Sequence, residues 1–147
     1  MSTPCVAAFS VAGDDVIVTG SQGISVWNRR NYETRSFGQK HQDWGSCLAL
    51  SADGRTLATE HTDGTVRLCN IKTGDVKGLS QTHEDTLEGL DFSPDGSLLI
   101  TAGWDETCKL RDHATGQLTR VIHTPPHCED ATFAPDVRSR FPRRTML

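Results

Sequence analysis

Two histidines in this 147-residue chain are followed closely by acidic residues, which is the arrangement of a proton-transfer pair. His83 precedes Glu84 and Asp85, and His41 stands two residues before Asp43. A histidine oriented by a carboxylate is the usual general base in enzymes. Neither a serine elbow nor a cysteine nucleophile accompanies either pair. A hydrolase built on loops is therefore the weakest of our functional hypotheses, and we predict that the chain is not an enzyme.

The densest group of potential metal ligands lies near the C-terminal end of the sequence and comprises His123, His127, Cys128, Glu129 and Asp130. Zinc requires ligands that turns hold in a tetrahedron, and this spacing matches none of the familiar zinc patterns. We expect an irregular loop here, with a metal site as the alternative. The thirteen glycines fall largely at turns, and none forms a phosphate-binding loop. We therefore predict no metal and no cofactor.

The elements that must position these residues repeat along the chain. Phe9, Leu50, Phe92 and Phe133 mark corresponding positions that lie 41, 42 and 41 residues apart. A fixed period of this length is typical of repeat architectures. The chemistry of each unit must therefore be interpreted by comparing equivalent positions.

Turn residues divide each unit into short strands. Ser93-Pro94-Asp95-Gly96 has Pro and Gly where a β-turn favours them. Asp63-Gly64 tolerates the positive φ angles of a tight hairpin. No segment shows a sustained 3.6-residue apolar period. The pattern predicts an all-β protein with four antiparallel strands of about five residues in each unit.

The third unit resembles a WD repeat of a β-propeller at His83, residues 92–96, Thr101, Asp105 and residues 109–112. In that family a loop His, a strand Ser or Thr, a turn Asp and a strand Trp form a structural hydrogen-bonded network. The resemblance therefore implies that His83, Thr101 and Asp105 are structural rather than catalytic. It covers about residues 5–134 and implies a fold, not a partner.

The other units match the family pattern in part. The second unit keeps His41, Thr59 and Asp63 but has Cys69 in place of the tryptophan, and the third has Arg111 there. The first unit has Thr19 and Trp27 but no matching histidine. The resemblance implies that the network is incomplete in every unit.

The repeats predict a partial propeller over residues 1–136, with four-stranded sheets at about 5–40, 46–82 and 88–124 and one extra strand at 131–134. Closed propellers contain four to eight such sheets. An incomplete ring exposes the flanks of its terminal sheets. We therefore expect either a fragment of a longer propeller or a chain that associates with another copy of itself.

Charge is distributed unevenly along the chain. Four arginines lie within residues 137–147, which contain no acidic residue, whereas residues 1–136 carry a net charge of −8, from eleven basic and nineteen acidic residues. An acidic body argues against nucleic-acid binding. We expect residues 137–147 to be a disordered basic tail that aids solubility or results from truncation. Contact of the tail with nucleic acid or anionic lipid is the alternative.

The five cysteines form no C-x-x-C pair, and the N-terminal residues resemble no secretory signal. This pattern is typical of a reducing compartment. No apolar run approaches about 18 residues, so we predict no membrane insertion. We expect a soluble intracellular protein in the cytoplasm, with the nucleus as an open alternative.

Two tryptophans are candidate contacts for a protein or peptide partner. By the resemblance, Trp44 and Trp104 lie in loops on one face of the propeller, where large aromatic side chains can anchor a partner. Packing of Trp44 between sheets is the alternative. Four neighbouring residues would supply polar contacts: Asp43, His61, Asp85 and Thr86. The leading hypothesis is a non-enzymatic interaction scaffold, and the second is a structural subunit that completes a propeller.

Overall fold

The computed structural model of this chain describes residues 6–9, 13–20, 23–37, 44–61, 64–79, 82–126 and 130–134. These residues form strands, turns and irregular segments and contain no helix, so no described helix could cross a membrane. The all-β prediction is confirmed. Three sheets of four antiparallel strands account for all twelve strands that the structure describes.

The strands of each sheet follow one another in chain order. The first sheet contains β1 (Val6–Phe9), β2 (Asp15–Gly20), β3 (Gly23–Asn28) and β4 (Thr34–Phe37). The second contains β5 (Trp44–Leu50), β6 (Thr56–His61), β7 (Val66–Asn70) and β8 (Val76–Leu79). The third contains β9 (Leu87–Phe92), β10 (Leu98–Gly103), β11 (Thr107–Asp112) and β12 (Leu118–His123).

One turn recurs between the third and fourth strands of every sheet. It begins at Asn28, Asn70 and Asp112, which are 42 residues apart. Asn70 Oδ1 accepts hydrogen bonds from the backbone N–H groups of Lys72 at 2.9 Å and Thr73 at 3.1 Å. Such a side chain accepts hydrogen bonds from backbone N–H groups that a tight turn leaves without a backbone partner. The repeated residue type therefore fixes the same chain reversal three times.

The sheets pack against one another through two apolar cores. Ile17, Ile24 and Val26 of the first sheet pack with Leu57 and Cys69 of the second. Another core joins the second and third sheets, and it contains Ala49, Ala58, Val66, Leu68, Leu79, Leu87, Leu90, Phe92 and Leu99. The first strands of the three sheets are neighbours, because β1 contacts β5 and β5 contacts β9. The sheets are therefore stacked in chain order, each against the next.

The predicted extra strand at residues 131–134 is not a strand in the structure. The segment nevertheless lies beside β9, since the N–H of Phe133 donates to Asp91 Oδ2 at 2.8 Å and Ala131 N approaches Gly89. A strand requires a ladder of backbone hydrogen bonds. The Phe133 bond is made to a side chain instead, so the segment packs beside the third sheet without extending it.

Candidate functional site

A buried histidine connects the loop before β9 to the strands of the third sheet. His83 is 2 % exposed. Its Nδ1 lies 2.8 Å from Asp105 Oδ1, and its Nε2 lies 2.8 Å from Thr101 Oγ1. Because a carboxylate only accepts hydrogen bonds, Nδ1 carries the proton, and Nε2 of the neutral ring accepts from the hydroxyl of Thr101. The structure thus brings together three residues of the expected network.

The charges in this network are set by burial and hydrogen bonding. Burial lowers the pKa of His83 below its ordinary value of 6.5, although the hydrogen bond to Asp105 opposes this shift. Burial also disfavours ionised Asp105, but hydrogen bonds from Thr107 and His83 outweigh it and lower the pKa of that carboxyl below its usual range. Lys109 Nζ lies 3.3 Å from Asp105 Oδ2. The network therefore holds a neutral imidazole beside a paired carboxylate at neutral pH.

Equivalent positions in the second sheet are arranged differently. Thr59 Oγ1 lies 3.2 Å from Nε2 of His61, which is 1 % exposed. His61 stands 42 residues before Gly103, the residue that lies against the ring of His83 in the third sheet. His41 and Asp63, which we expected around Thr59, lie outside the described residues. The sequence carries a signal of this difference, because the second unit has a histidine, His61, at the position where the third unit has Gly103.

The first sheet places its two expected network residues in different environments. Thr19 is buried, with 4 % exposure. Trp27 is 39 % exposed, and its ring lies 6.2 Å from that of Tyr32. Its equivalents, Cys69 and Arg111, are 1 % and 8 % exposed, and Cys69 packs against the first sheet.

Trp104 lies on the turn between β10 and β11, and 53 % of its surface is exposed. Its backbone N–H donates to the carbonyl of Thr86 at 2.9 Å. The N–H of Thr86 in turn donates to Asp85 Oδ1 at 2.7 Å, and both residues are exposed. The structure thus places Trp104 beside Asp85 and Thr86, as a rim formed by one turn and one loop. We call these three residues the Trp104 rim.

The backbone beneath this rim is strained at a position that the sequence analysis missed. Glu106 has a φ angle of 59°, and its carbonyl accepts the N–H of Thr124 at 2.8 Å. The equivalent residue 42 positions earlier is Gly64, with a φ angle of 75°. Left-handed backbone costs glycine little and costs other residues about 1 kcal/mol or more. The missed signal was a non-glycine residue where another unit has Asp-Gly.

Two of the candidate binding residues are placed differently from our expectation. His61 cannot contact a partner at the surface, because its side chain is buried against Thr59. Trp44 is the first residue of β5 and pairs with His61, rather than lying in a loop. This pairing follows from β5 extending past an irregularity between Trp44 and Leu48. Asp43 lies outside the described residues.

A second concave surface of about 340 Å³ lies between the turns that end β5 and β9. Asp53, Asp95 and His113 line it. The hydroxyl of Ser93 donates to Asp95 Oδ1 at 2.6 Å. Together with the N–H of Ser97, it lowers the pKa of Asp95 to about 2. These oxygens are occupied by their own turns, so we assign this surface no function.

The described residues contain no group of three or more His, Cys, Asp or Glu side chains arranged to hold a metal ion. Of the cluster considered in the sequence, residues 127–129 lie outside the described part of the chain. His123 ends β12 and is exposed, as is Asp130.

The chain matches the model of a known family. The model described as WD domain, G-beta repeat, matches residues 35–70 and 76–112. Each match begins in the fourth strand of one sheet and continues through three strands of the next sheet. One sequence repeat thus contributes a strand to one sheet and three strands to the next sheet, so consecutive sheets share a repeat. A search of curated proteins finds no significant match.

Proposed function

Because the chain belongs to the WD-repeat family, whose repeats generally mediate contacts between proteins, we propose that it is a non-enzymatic interaction scaffold. In this proposal the Trp104 rim receives a protein or peptide partner. The stacked sheets supply a rigid support, and the loops supply the contacts. Nucleic acid is not the proposed partner, since residues 1–136 carry a net charge of −8, from eleven basic and nineteen acidic residues.

The observation that carries the proposal is a large aromatic side chain exposed on a fixed turn. Trp104 is 53 % exposed, although tryptophan is usually highly buried. The turn is held by the bond from Trp104 N–H to Thr86 and by the bonds of Asp105 to His83 and Thr107. A residue ordered before binding loses little entropy when it is bound. Exposed tryptophan is also among the residues that most often dominate interface energies.

The histidine network supports a structural role rather than catalysis. His83 is buried, and both of its ring nitrogens are hydrogen bonded within the third sheet. A general base must reach a proton of the substrate, whereas this ring contacts Thr101 and Asp105. We therefore assign His83 to the support of the rim.

We also propose an intracellular location, in keeping with the cysteine usage of the chain. Cys69, whose sulfur atom the structure describes, is a free thiol. Burial raises the pKa of the Cys69 thiol to about 11, so this thiol is unreactive. Free thiols persist in a reducing compartment.

The experiment uses a random peptide library displayed on phage and selected against the purified chain. Enriched peptides are synthesised, and their affinities are measured by calorimetry with the wild type, Trp104→Ala, Asp85→Ala and Leu118→Ala. Leu118 is the matched control, because it is 48 % exposed on β12 of the same sheet. We expect Trp104→Ala to weaken binding by about thirtyfold, as for a dominant interface residue. Unchanged affinity in a folded Trp104→Ala protein would refute the proposal.

A further inference from the structure

The outer strands of the second and third sheets carry equivalent residues whose exposure differs. Leu79 pairs with Val66 in β8, and Ile122 pairs with Cys108 in β12. Val66 and Cys108 lie 42 residues apart, so Leu79 and Ile122 hold the same place in their sheets. Leu79 is 6 % exposed, whereas Ile122 is 41 % exposed.

The burial of Leu79 has a specific cause. A Cβ on Gly116 would lie 2.7 Å from Leu79 Cδ2, and Lys77 Nζ lies 3.4 Å from the carbonyl of Thr115. The turn after β11 of the third sheet therefore covers Leu79 at the end of β8, whereas Lys77 of the same strand remains exposed. Among the described residues, no corresponding turn covers Ile122 and Arg120, which occupy the positions of Leu79 and Lys77.

The difference in exposure between β8 and β12 is found at Leu79 and Ile122 but not at the exposed position near the start of each strand. Val76 and Leu118 are also equivalent, since they pair with Cys69 and Arg111. Their exposures are 50 % and 48 %, so this position is exposed in both sheets. The face that carries Ile122 is thus the one that an adjoining sheet buries elsewhere in the chain.

The complementary surface lies on the first sheet. Tyr32 N–H donates to the carbonyl of Asn28, as Gly116 N–H does to that of Asp112, so Tyr32 is the equivalent of Gly116. Tyr32 is 75 % exposed and has a φ angle of 60°. Its ring lies beside that of Trp27, which is 39 % exposed. The turn that buries Leu79 in one sheet thus presents exposed aromatic rings in another.

We propose that two copies of this chain bind head to tail, with Tyr32 and Trp27 of one copy packing on Ile122 and Arg120 of the other. The contact corresponds in position to the one between Gly116 and Leu79 within the chain, but the two backbones must lie farther apart, because a Cβ on Gly116 would already stand 2.7 Å from Leu79 Cδ2. A tyrosine in place of glycine provides the apolar surface, and Arg120 can lie over its ring. Residues 130–134 lie beside β9 and leave Ile122 exposed.

The symmetry of this contact determines the expected assembly. The two surfaces differ, so the interface is heterologous and produces either a ring or a filament. The described residues of two copies would supply six sheets, within the range of four to eight found in closed propellers. We therefore expect a closed dimer. The Trp104 rim belongs to neither of these two surfaces, so the dimer contact does not depend on the proposed partner site.

The mass of the purified chain is measured by light scattering after size-exclusion chromatography and by sedimentation over a concentration series. We expect the mass to rise from 16.1 kDa to twice that value as concentration increases. Ile122→Lys and Tyr32→Asn should each raise the dimer dissociation constant by about thirtyfold or more. Leu118→Lys is the matched control on β12 and should not change it. Circular dichroism melts verify that every variant is folded.

Mixing the two variants distinguishes a head-to-tail contact from a symmetric one. Ile122→Lys retains an intact Tyr32 surface, and Tyr32→Asn retains an intact Ile122 surface. Their mixture should therefore dimerise more strongly than either variant alone. A wild type that stays monomeric at every concentration, or a dimer that both variants leave intact, would overturn the proposal. Failure of the mixture to recover association would overturn the head-to-tail geometry.

Discussion

Gly103 lies so close to His83 that a Cβ on residue 103 would stand 2.5 Å from His83 Nδ1 and 2.7 Å from its Cγ. Real Cβ atoms do not approach other atoms so closely. The missing side chain is therefore what allows the imidazole to enter the sheet and reach Thr101. The turn that carries Trp104 follows directly after Gly103, so this contact also supports the Trp104 rim.

The first prediction follows from this contact. Gly103→Ala should lower the free energy of unfolding by about 1 to 3 kcal/mol, because the methyl group displaces the ring of His83 and strains its hydrogen bonds. Chemical denaturation monitored by circular dichroism measures the change. Gly78→Ala is the control, since a Cβ on Gly78 would meet nothing within 4 Å. Equal effects of the two substitutions would contradict the prediction.

The second prediction concerns the pH dependence of stability. The pKa of folded His83 is below 6.5, so below that pH the unfolded chain takes up a proton that the folded chain does not. Stability must therefore fall as pH drops through 6.5. Asp105 has a folded pKa below 3.8, and its contribution is lost in turn as pH falls below that value. Denaturation midpoints of the wild type and His83→Gln, compared across this range, measure both effects.

His83→Gln should show a shallower loss of stability just below pH 6.5 than the wild type does. The other histidines are common to both proteins, so the difference isolates residue 83. Parallel pH profiles for the two proteins would show that His83 titrates normally in the folded state.

The third prediction concerns the strained turn of the rim. Glu106→Gly should raise the free energy of unfolding by about 1 kcal/mol, because glycine relieves the left-handed backbone at a φ angle of 59°. Gly64→Glu makes the reciprocal change in the second sheet and should destabilise by a similar amount. Space does not prevent this exchange, since a Cβ on Gly64 would lie 3.6 Å from the carbonyl of His83. Destabilisation by Glu106→Gly would contradict this account.

The fourth prediction concerns a buried cation. Arg111 is 8 % exposed, and its Nη1 donates to the carbonyl of Gly116 at 3.1 Å. Its Nε is buried without a hydrogen-bond partner among the described atoms, and burial lowers the pKa of the guanidinium. Arg111→Leu should therefore raise the free energy of unfolding by about 1 kcal/mol, because it removes a poorly satisfied charge and keeps apolar contacts.

The matched substitution for Arg111→Leu is Arg35→Leu in β4, where the arginine is exposed and lies outside the proposed dimer contact. It should change the free energy of unfolding by less than about 0.5 kcal/mol, as surface substitutions usually do. Thermal melts of both variants make the comparison. A large loss of stability in Arg111→Leu would show that the guanidinium bond to Gly116 outweighs the cost of burial.

Much of the fold follows from short stretches of sequence. The period of 41 or 42 residues, the turn residues at 63–64 and 93–96 and the absence of a helical pattern predicted three four-stranded sheets. Turn chemistry and strand pairing depend on residues close together in the chain, so these features can be recognised locally. Residues 131–134 were predicted less well, because a strand exists only where a neighbour supplies a ladder.

The site was less predictable, since exposure depends on which sheet packs on which flank. The sequence marked Trp104, Asp85 and Thr86 as surface candidates, but it also marked His61, which the tertiary structure buries against Thr59. The residue type of His61 is the same whether its side chain is exposed to solvent or buried in the sheet, so the sequence alone does not give its exposure. The sequence by itself therefore determined the repeat, the strands and their turns, because these depend on local backbone preferences. Only the tertiary structure decided that Leu79 is buried while Ile122 is exposed, because burial depends on the presence of an adjoining sheet.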